Sequence, residues 1–214
     1  MIYLFEQGQY LVFTLLVIAL IISLTFHEFG HAFVARLFGD DTAQRAGRLT
    51  LNPLAHIDPV GLIMVVLIGI GYAKPVPTDP RNYSTSTADL WVAAAGPFMN
   101  LVVATVSWNF FLAMRQAGVD LFMQSGPEIF FVLLAKINLV LMVFNLIPIG
   151  PLDGNYILPH FLPNGLAARY RYLNARYGTF LLLGIIALSF VGVPIFQYVS
   201  QLSNAILPWV TFVG

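Results

Sequence analysis

His27, Glu28 and His31 sit inside an apolar run, and their spacing is that of a metal site. In an α-helix, positions i and i+4 share a face, so His27 and His31 can present two imidazoles to one ion. Glu28, beside the first imidazole, is placed to take a proton from a water that the ion acidifies. Two imidazoles need at least one more ligand, and His56, Asp58, Glu128, Asp153 and His160 are the side chains that can supply it. Asp153 stands out by its setting, Asn145-Leu146-Ile147-Pro148-Ile149-Gly150-Pro151-Leu152-Asp153-Gly154, where Pro148, Gly150, Pro151 and Gly154 break the helix as an apolar stretch ends. Unwound backbone at membrane depth is tolerated only where it lines a protein cavity or water. Two imidazoles, one carboxylate and a fourth position open to water make the donor set of a catalytic zinc; structural zinc sites close all four positions.

The elements that must hold these residues are helices in lipid. The chain has 214 residues, 58% hydrophobic and 9% charged, with a mean hydropathy of +0.81. That is far more apolar than a soluble domain. The expected fold is all-α and polytopic, one membrane domain over 1–214, with its core at 10–160 and C-terminal membrane helices over 178–213. Lys+Arg and Asp+Glu both total 10, so charge gives no sign of a nucleic-acid partner. With no cysteine, disulfides and thiolate ligands are excluded. The first basic residue is Arg36, so no cleaved signal peptide is expected.

Apolar runs at 10–38, 90–114, 129–147 and 179–193 are expected to span the bilayer, and 195–213, interrupted by Pro208, to span or lie in the interface. The run 60–70 is too short to cross and is expected to be re-entrant, giving four to six membrane helices in all. Arg36, Arg45, Arg48, Lys74, Arg81, Arg169, Arg171 and Arg176 then share one face, with Arg115 on the other. Cytosolic loops carry the excess of Lys and Arg, so the first face is cytosolic and the N-terminus lies outside. His27 comes about 26 Å along the first helix from Tyr10, in the half of the bilayer nearer the cytosol.

These residues carry a family resemblance over most of the chain. It resembles the site-2 protease family of intramembrane zinc metalloproteases, in a short form with no stretch long enough for a PDZ domain or a CBS pair. His27, Glu28 and His31 match the family's His-Glu-x-x-His motif. Asn52-Pro53-Leu54-Ala55-His56-Ile57-Asp58-Pro59-Val60-Gly61 and Gly71-Tyr72-Ala73-Lys74-Pro75-Val76-Pro77 are similar to its next two motifs. Gly96-Pro97-Phe98-Met99-Asn100, then Asn145 with Leu152-Asp153-Gly154, match the last two. The resemblance implies one zinc ion per chain, Asp153 as third ligand, Glu28 as catalytic base and single-span membrane proteins as substrates. It further implies that Asn145 and Asn100 contact the substrate backbone or the developing oxyanion; helix–helix hydrogen bonding is the alternative for both. A prokaryotic plasma membrane, with the site toward the cytosol, is the expected location.

Three further readings stay open in the sequence. Asn138, two turns before Asn145, reads as packing or cavity lining, and His56, Asp58 and His160 as structural or interfacial. Residues 47–51 alternate in polarity and 74–77 are extended by prolines, so together they can form a small β-hairpin near the cytosolic face. Such a hairpin would either pair an exposed edge with an unwound substrate or be an ordinary turn. Two rival functions, a membrane zinc transporter and a non-catalytic scaffold, use the same ligands but give Glu28 no task.

Overall fold

The computed structural model describes residues 2–69 and 71–213. The described residues form α1 (Ile2–Glu6), α2 (Tyr10–Leu37), α3 (Thr42–Arg45), α4 (Pro59–Ile68), α5 (Ala88–Gln116), α6 (Ser125–Asn145), α7 (Gly154–Ile157), α8 (Asn164–Phe190) and α9 (Ile195–Ile206), joined by loops and short 3-10 turns. The chain is an all-helical membrane protein. Of these helices, α2, α5, α6 and α8 are long and apolar enough to cross a bilayer.

The C-terminal run 195–213 does not form a fifth span. α9 has 12 residues, which reach only about 18 Å, and a 3-10 turn begins at Leu207 beside Pro208. Asn109 of α5 then ties the chain end down, accepting from the N–H groups of Phe212 and Val213 and donating to the Val210 carbonyl. α8 starts fifteen residues earlier than hydropathy suggests, at Asn164 rather than at 179. Arg169, Arg171 and Arg176 are good helix formers, a property that hydropathy does not register. In the segment expected at 60–70, Ile70 lies outside the described residues. The rest forms α4, opened by Asp58, whose carboxylate accepts from the Gly61 N–H at 2.9 Å, and by Pro59 at the first position. With 10 residues it is about 15 Å long, half a hydrocarbon core.

The expected hairpin is absent: the described residues contain no strand. Residues 71–79 form an extended strap whose Pro75 and Pro77 have no N–H to give a ladder. The strap is fastened by other means. Lys74 N–H donates to the His56 carbonyl at 2.9 Å, and the buried Arg48 guanidinium donates to the carbonyls of Pro75 and Lys74.

α2, α5 and α6 pack against one another as a three-helix unit, with α9 added against α6. Small residues let α2 and α5 approach. A Cβ on Gly30 would sit 2.7 Å from the Ala95 carbonyl oxygen and 2.6 Å from Met99 Cγ, so only glycine fits there. That contact offsets the roughly 1 kcal/mol that glycine costs inside a helix. Ala104, Leu139, Met142, Val143 and Val199 form the apolar core of the unit.

Candidate metal centre

α2 presents His27 and His31 to α5, and each imidazole is held from behind. His31 Nδ1 lies 2.7 Å from the Val92 carbonyl oxygen, and His27 Nδ1 lies 2.7 Å from Asn100 Oδ1. A backbone carbonyl only accepts, so His31 Nδ1 carries hydrogen and the neutral ring keeps its lone pair on Nε2. Gly96 clears the space for both rings: a Cβ there would lie 2.3 Å from His31 Nε2 and 2.6 Å from His27 Cε1.

Asp153 comes in on the loop between α6 and α7. Its Oδ2 lies 3.2 Å from His27 Nε2 and its Oδ1 3.4 Å from His31 Nε2, while the two Nε2 atoms are 3.1 Å apart. Among the described residues these three form the one group able to hold a metal ion. The donor atoms fit such an ion. Tetrahedral ligands about 2.0–2.2 Å from a zinc are about 3.3–3.6 Å from each other. Asp153 Oδ2 is buried and accepts no hydrogen bond, so a lone pair faces lone pairs and a cation is the partner missing between them.

α8 holds the loop that brings Asp153. Gly150, at φ +64°, gives its N–H to Asn174 Oδ1 at 3.1 Å and accepts from Asn174 Nδ2 at 3.2 Å. Asn174 Nδ2 also donates to Asn155 Oδ1, and the Tyr170 hydroxyl donates to the Pro148 carbonyl at 2.7 Å.

Glu28 is 8% exposed and faces the strap, its Oε2 accepting the Val76 N–H at 3.1 Å. Burial lowers the pKa of Arg48, and the Glu28 charge opposes that, so the strap's clamp and the acid feel each other. A cavity of about 650 Å³ opens over His27, Glu28, His31 and Asp153 and reaches Asn145. The Asn145 amide donates once, to the Leu141 carbonyl at 3.0 Å, and its other hydrogen-bonding capacity has no protein partner among the described residues.

Of the two readings of Asn100, substrate contact and helix–helix hydrogen bonding, its position matches the second. It is fully buried behind His27, does not line the cavity, and spends its amide on His27, Ser23 and Asn138. His56 bonds to the Thr50 carbonyl at 2.8 Å and Asp58 caps α4, so both build the turn that leads to the strap. His160 pairs with Asp89 at 3.0 Å, tying the segment after Asp153 to the start of α5. Val92 leaves no mark in the sequence, because its contribution is a backbone carbonyl. In the sequence Arg48 reads as a cytosolic-face charge within the alternating 47–51 segment, and nothing there marks it as a clamp. Asn174 lay unnoticed among the arginines and tyrosines of 169–177.

The chain belongs to peptidase family M50, whose model matches residues 15–185. YwhC of Bacillus subtilis is 42% identical over 157 residues, 72% of this chain and 72% of its own length. Rip2 of Mycolicibacterium smegmatis is 35% identical over 161 residues, 71% of this chain and 59% of its own. Both carry provisional zinc metalloprotease names. MJ0392 of Methanocaldococcus jannaschii, named a zinc metalloprotease, is 26% identical over 160 residues and 37% of its own length. No solved structure matches. By family, then, this is a zinc-dependent metalloprotease of the membrane.

Proposed function

We propose that this protein is an intramembrane endopeptidase that hydrolyses peptide bonds in or near the transmembrane segments of single-span membrane proteins, at a site reached from the cytosolic side. His27, His31 and Asp153 hold the zinc, and Glu28 is the acid–base residue. The observation that carries the reading is three convergent lone-pair donors and a buried carboxylic acid at the floor of one cavity, between helices whose apolar residues face lipid.

When bound, zinc supplies Lewis acidity, polarising a carbonyl and acidifying water. Glu28 accepts the proton released and returns it to the leaving amine. Asn145, with an N–H and a carbonyl to spare, hydrogen-bonds the substrate backbone beside the scissile bond. Leu141 and Phe144 line the same cavity and supply apolar contact for a membrane-derived segment. A peptide in a helix has its carbonyls engaged in i to i−4 bonds, so the substrate must unwind before it reaches this floor. α4, too short to cross, enters the bilayer from the cytosolic face and returns. That keeps the eight basic residues on one side, as the positive-inside rule asks. The bacterial and archaeal relatives fit a prokaryotic plasma membrane.

The test is purification in detergent with metal analysis, then incubation with a panel of single-span proteins beside Glu28→Gln. Wild type is expected to retain about one zinc and to cleave members with helix-weakening residues. Glu28→Gln is expected to retain zinc and lose about 10²–10⁴-fold in rate. Full activity of Glu28→Gln would remove the base, and zinc flux through proteoliposomes without cleavage would favour a transporter.

A further inference from the structure

Behind His27 lies a polar relay that crosses three helices within the apolar core. Ser23, Asn100 and Asn138 are each 0% exposed. Three buried amide and hydroxyl groups in such a place are costly unless every hydrogen has an acceptor, and here the accounting closes in one way only.

It starts from backbone carbonyls, which cannot donate. The Ser23 hydroxyl gives its single hydrogen to the Ala19 carbonyl at 2.6 Å. Ser23 Oγ therefore accepts from Asn138, whose Nδ2 lies 2.8 Å away and spends its other hydrogen on the Leu134 carbonyl at 2.8 Å. That fixes the Asn138 amide, and its Oδ1 must accept. Asn100 Nδ2 meets it at 2.8 Å and also reaches the Ser23 carbonyl at 3.2 Å. With both hydrogens of Asn100 used, its Oδ1 is what faces His27 Nδ1 at 2.7 Å. An amide oxygen cannot donate, so the proton of a neutral His27 sits on Nδ1 and its lone pair on Nε2, the atom beside Asp153 and His31.

We propose that Asn100, braced by Asn138 and Ser23, is a positioning residue that sets which nitrogen of His27 carries the proton and so aims the ring's lone pair at the metal. The orientation of one ligand is dictated from α6, a helix that contributes no ligand of its own. Outer-shell partners of this kind hold ring orientation and raise ligand basicity. Reversing the Asn100 amide would set its oxygen against two acceptors, Asn138 Oδ1 and the Ser23 carbonyl, so the relay resists the wrong tautomer at each step.

The inference rests on the reading of His27 as a zinc ligand, but its first test does not need the metal. In metal-free protein labelled with ¹⁵N-histidine, at a pH where His27 is neutral, the His27 resonances should show hydrogen on Nδ1 and none on Nε2. A proton on Nε2 would overturn the proposal. The second test is zinc affinity by chelator competition. Asn100→Leu, similar in size and unable to accept, should lose about 10–100-fold. Asn138→Leu, which leaves the Asn100 oxygen in place but unbraced, should lose less. Wild-type affinity in folded Asn100→Leu would overturn the proposal while leaving the zinc site standing. The predicted tautomer in a protein that binds no zinc would do the reverse. Should Asn100→Leu fail to fold, the resonances of the wild-type protein still decide.

Discussion

The two sides of the metal centre are built to different standards. α5, which backs both histidines, buries much of its apolar length against its neighbours; α8, which holds the Asp153 loop, buries almost none. His27 and His31 stand on a wall where helices meet through glycine and alanine and every buried polar atom of the relay has a partner. Asp153 stands on a loop pinned by a few hydrogen bonds from Asn174 and Tyr170 to a helix that mostly faces lipid. The cavity is lined on its far side by Leu182 and Ile186 of α8. The contrast teaches a division of labour, with one wall holding the imidazoles by close packing and the other holding the carboxylate by a few hydrogen bonds. A bound ion is a tie between them.

The largest effect should come from cutting that tie. Asp153→Ala is expected to weaken zinc binding by more than the 10–100-fold that loss of an outer-shell partner costs. It should also erase the metal-dependent rise in unfolding temperature, which for wild type at a hundred times Kd is worth about 2.7 kcal/mol. A chelator should lower wild-type stability and leave Asp153→Ala unchanged. Gly96→Ala attacks the firm wall. Alanine is the better helix former by about 1 kcal/mol, yet its methyl would occupy the place of the imidazoles, so metal content should collapse while helicity is kept. Retained zinc in that variant would show that the firm wall gives way after all.

Asn174→Ala probes the hydrogen-bonded wall and should cost about tenfold in zinc affinity with little change in the stability of α2, α5 and α6. An effect as large as that of Asp153→Ala would mean that the two walls form one unit.

The smallest effect concerns acid. Asp40, fully buried after α2, accepts from the N–H groups of Thr42 and Asp79, from the Thr42 hydroxyl and from the Asn82 amide. Burial pushes its carboxyl upward, but these donors outweigh burial and hold it below the usual range. A carboxyl depressed by folding adds stability above its unfolded pKa of about 3.9, and that stability fades as pH falls through the lower folded value. Wild type should therefore lose stability below about pH 4, and Asp40→Asn should flatten this part of the profile at a cost of about 1–3 kcal/mol at neutral pH. Unfolding midpoints in detergent against pH would show it, and an unchanged slope in the variant would acquit Asp40.

Much of the site was legible because its chemistry leaves marks in one dimension. His27, Glu28 and His31 are a local pattern on a helix, and Asp153 was flagged by the prolines and glycines around it. The four spans followed from runs of apolar residues. What escaped depended on how separate helices are turned toward each other. Asn100 stood open between substrate contact and helix–helix bonding, and Asn138 between packing and cavity lining, because nothing in a sequence tells which helix face an amide will meet. The hairpin failed for a related reason: alternation at 47–51 promised a strand, but the partner segment is rich in proline and is clamped by a side chain. Arg48 was hidden by its type, since an arginine near a membrane reads first as an interfacial charge.

The histidine pair and Asp153 belong to distant parts of the polypeptide, with two spans inserted between them. If these three hold the zinc as proposed, the imidazoles enter the lipid during synthesis as half a chelate, competent for weak and exchangeable metal only. Secure capture waits until α6 is in place and the breaker-rich turn behind it has emerged. Possession of the ion is in this sense a certificate of finished assembly, and a chain stalled before that turn would be left without its hydrolytic power.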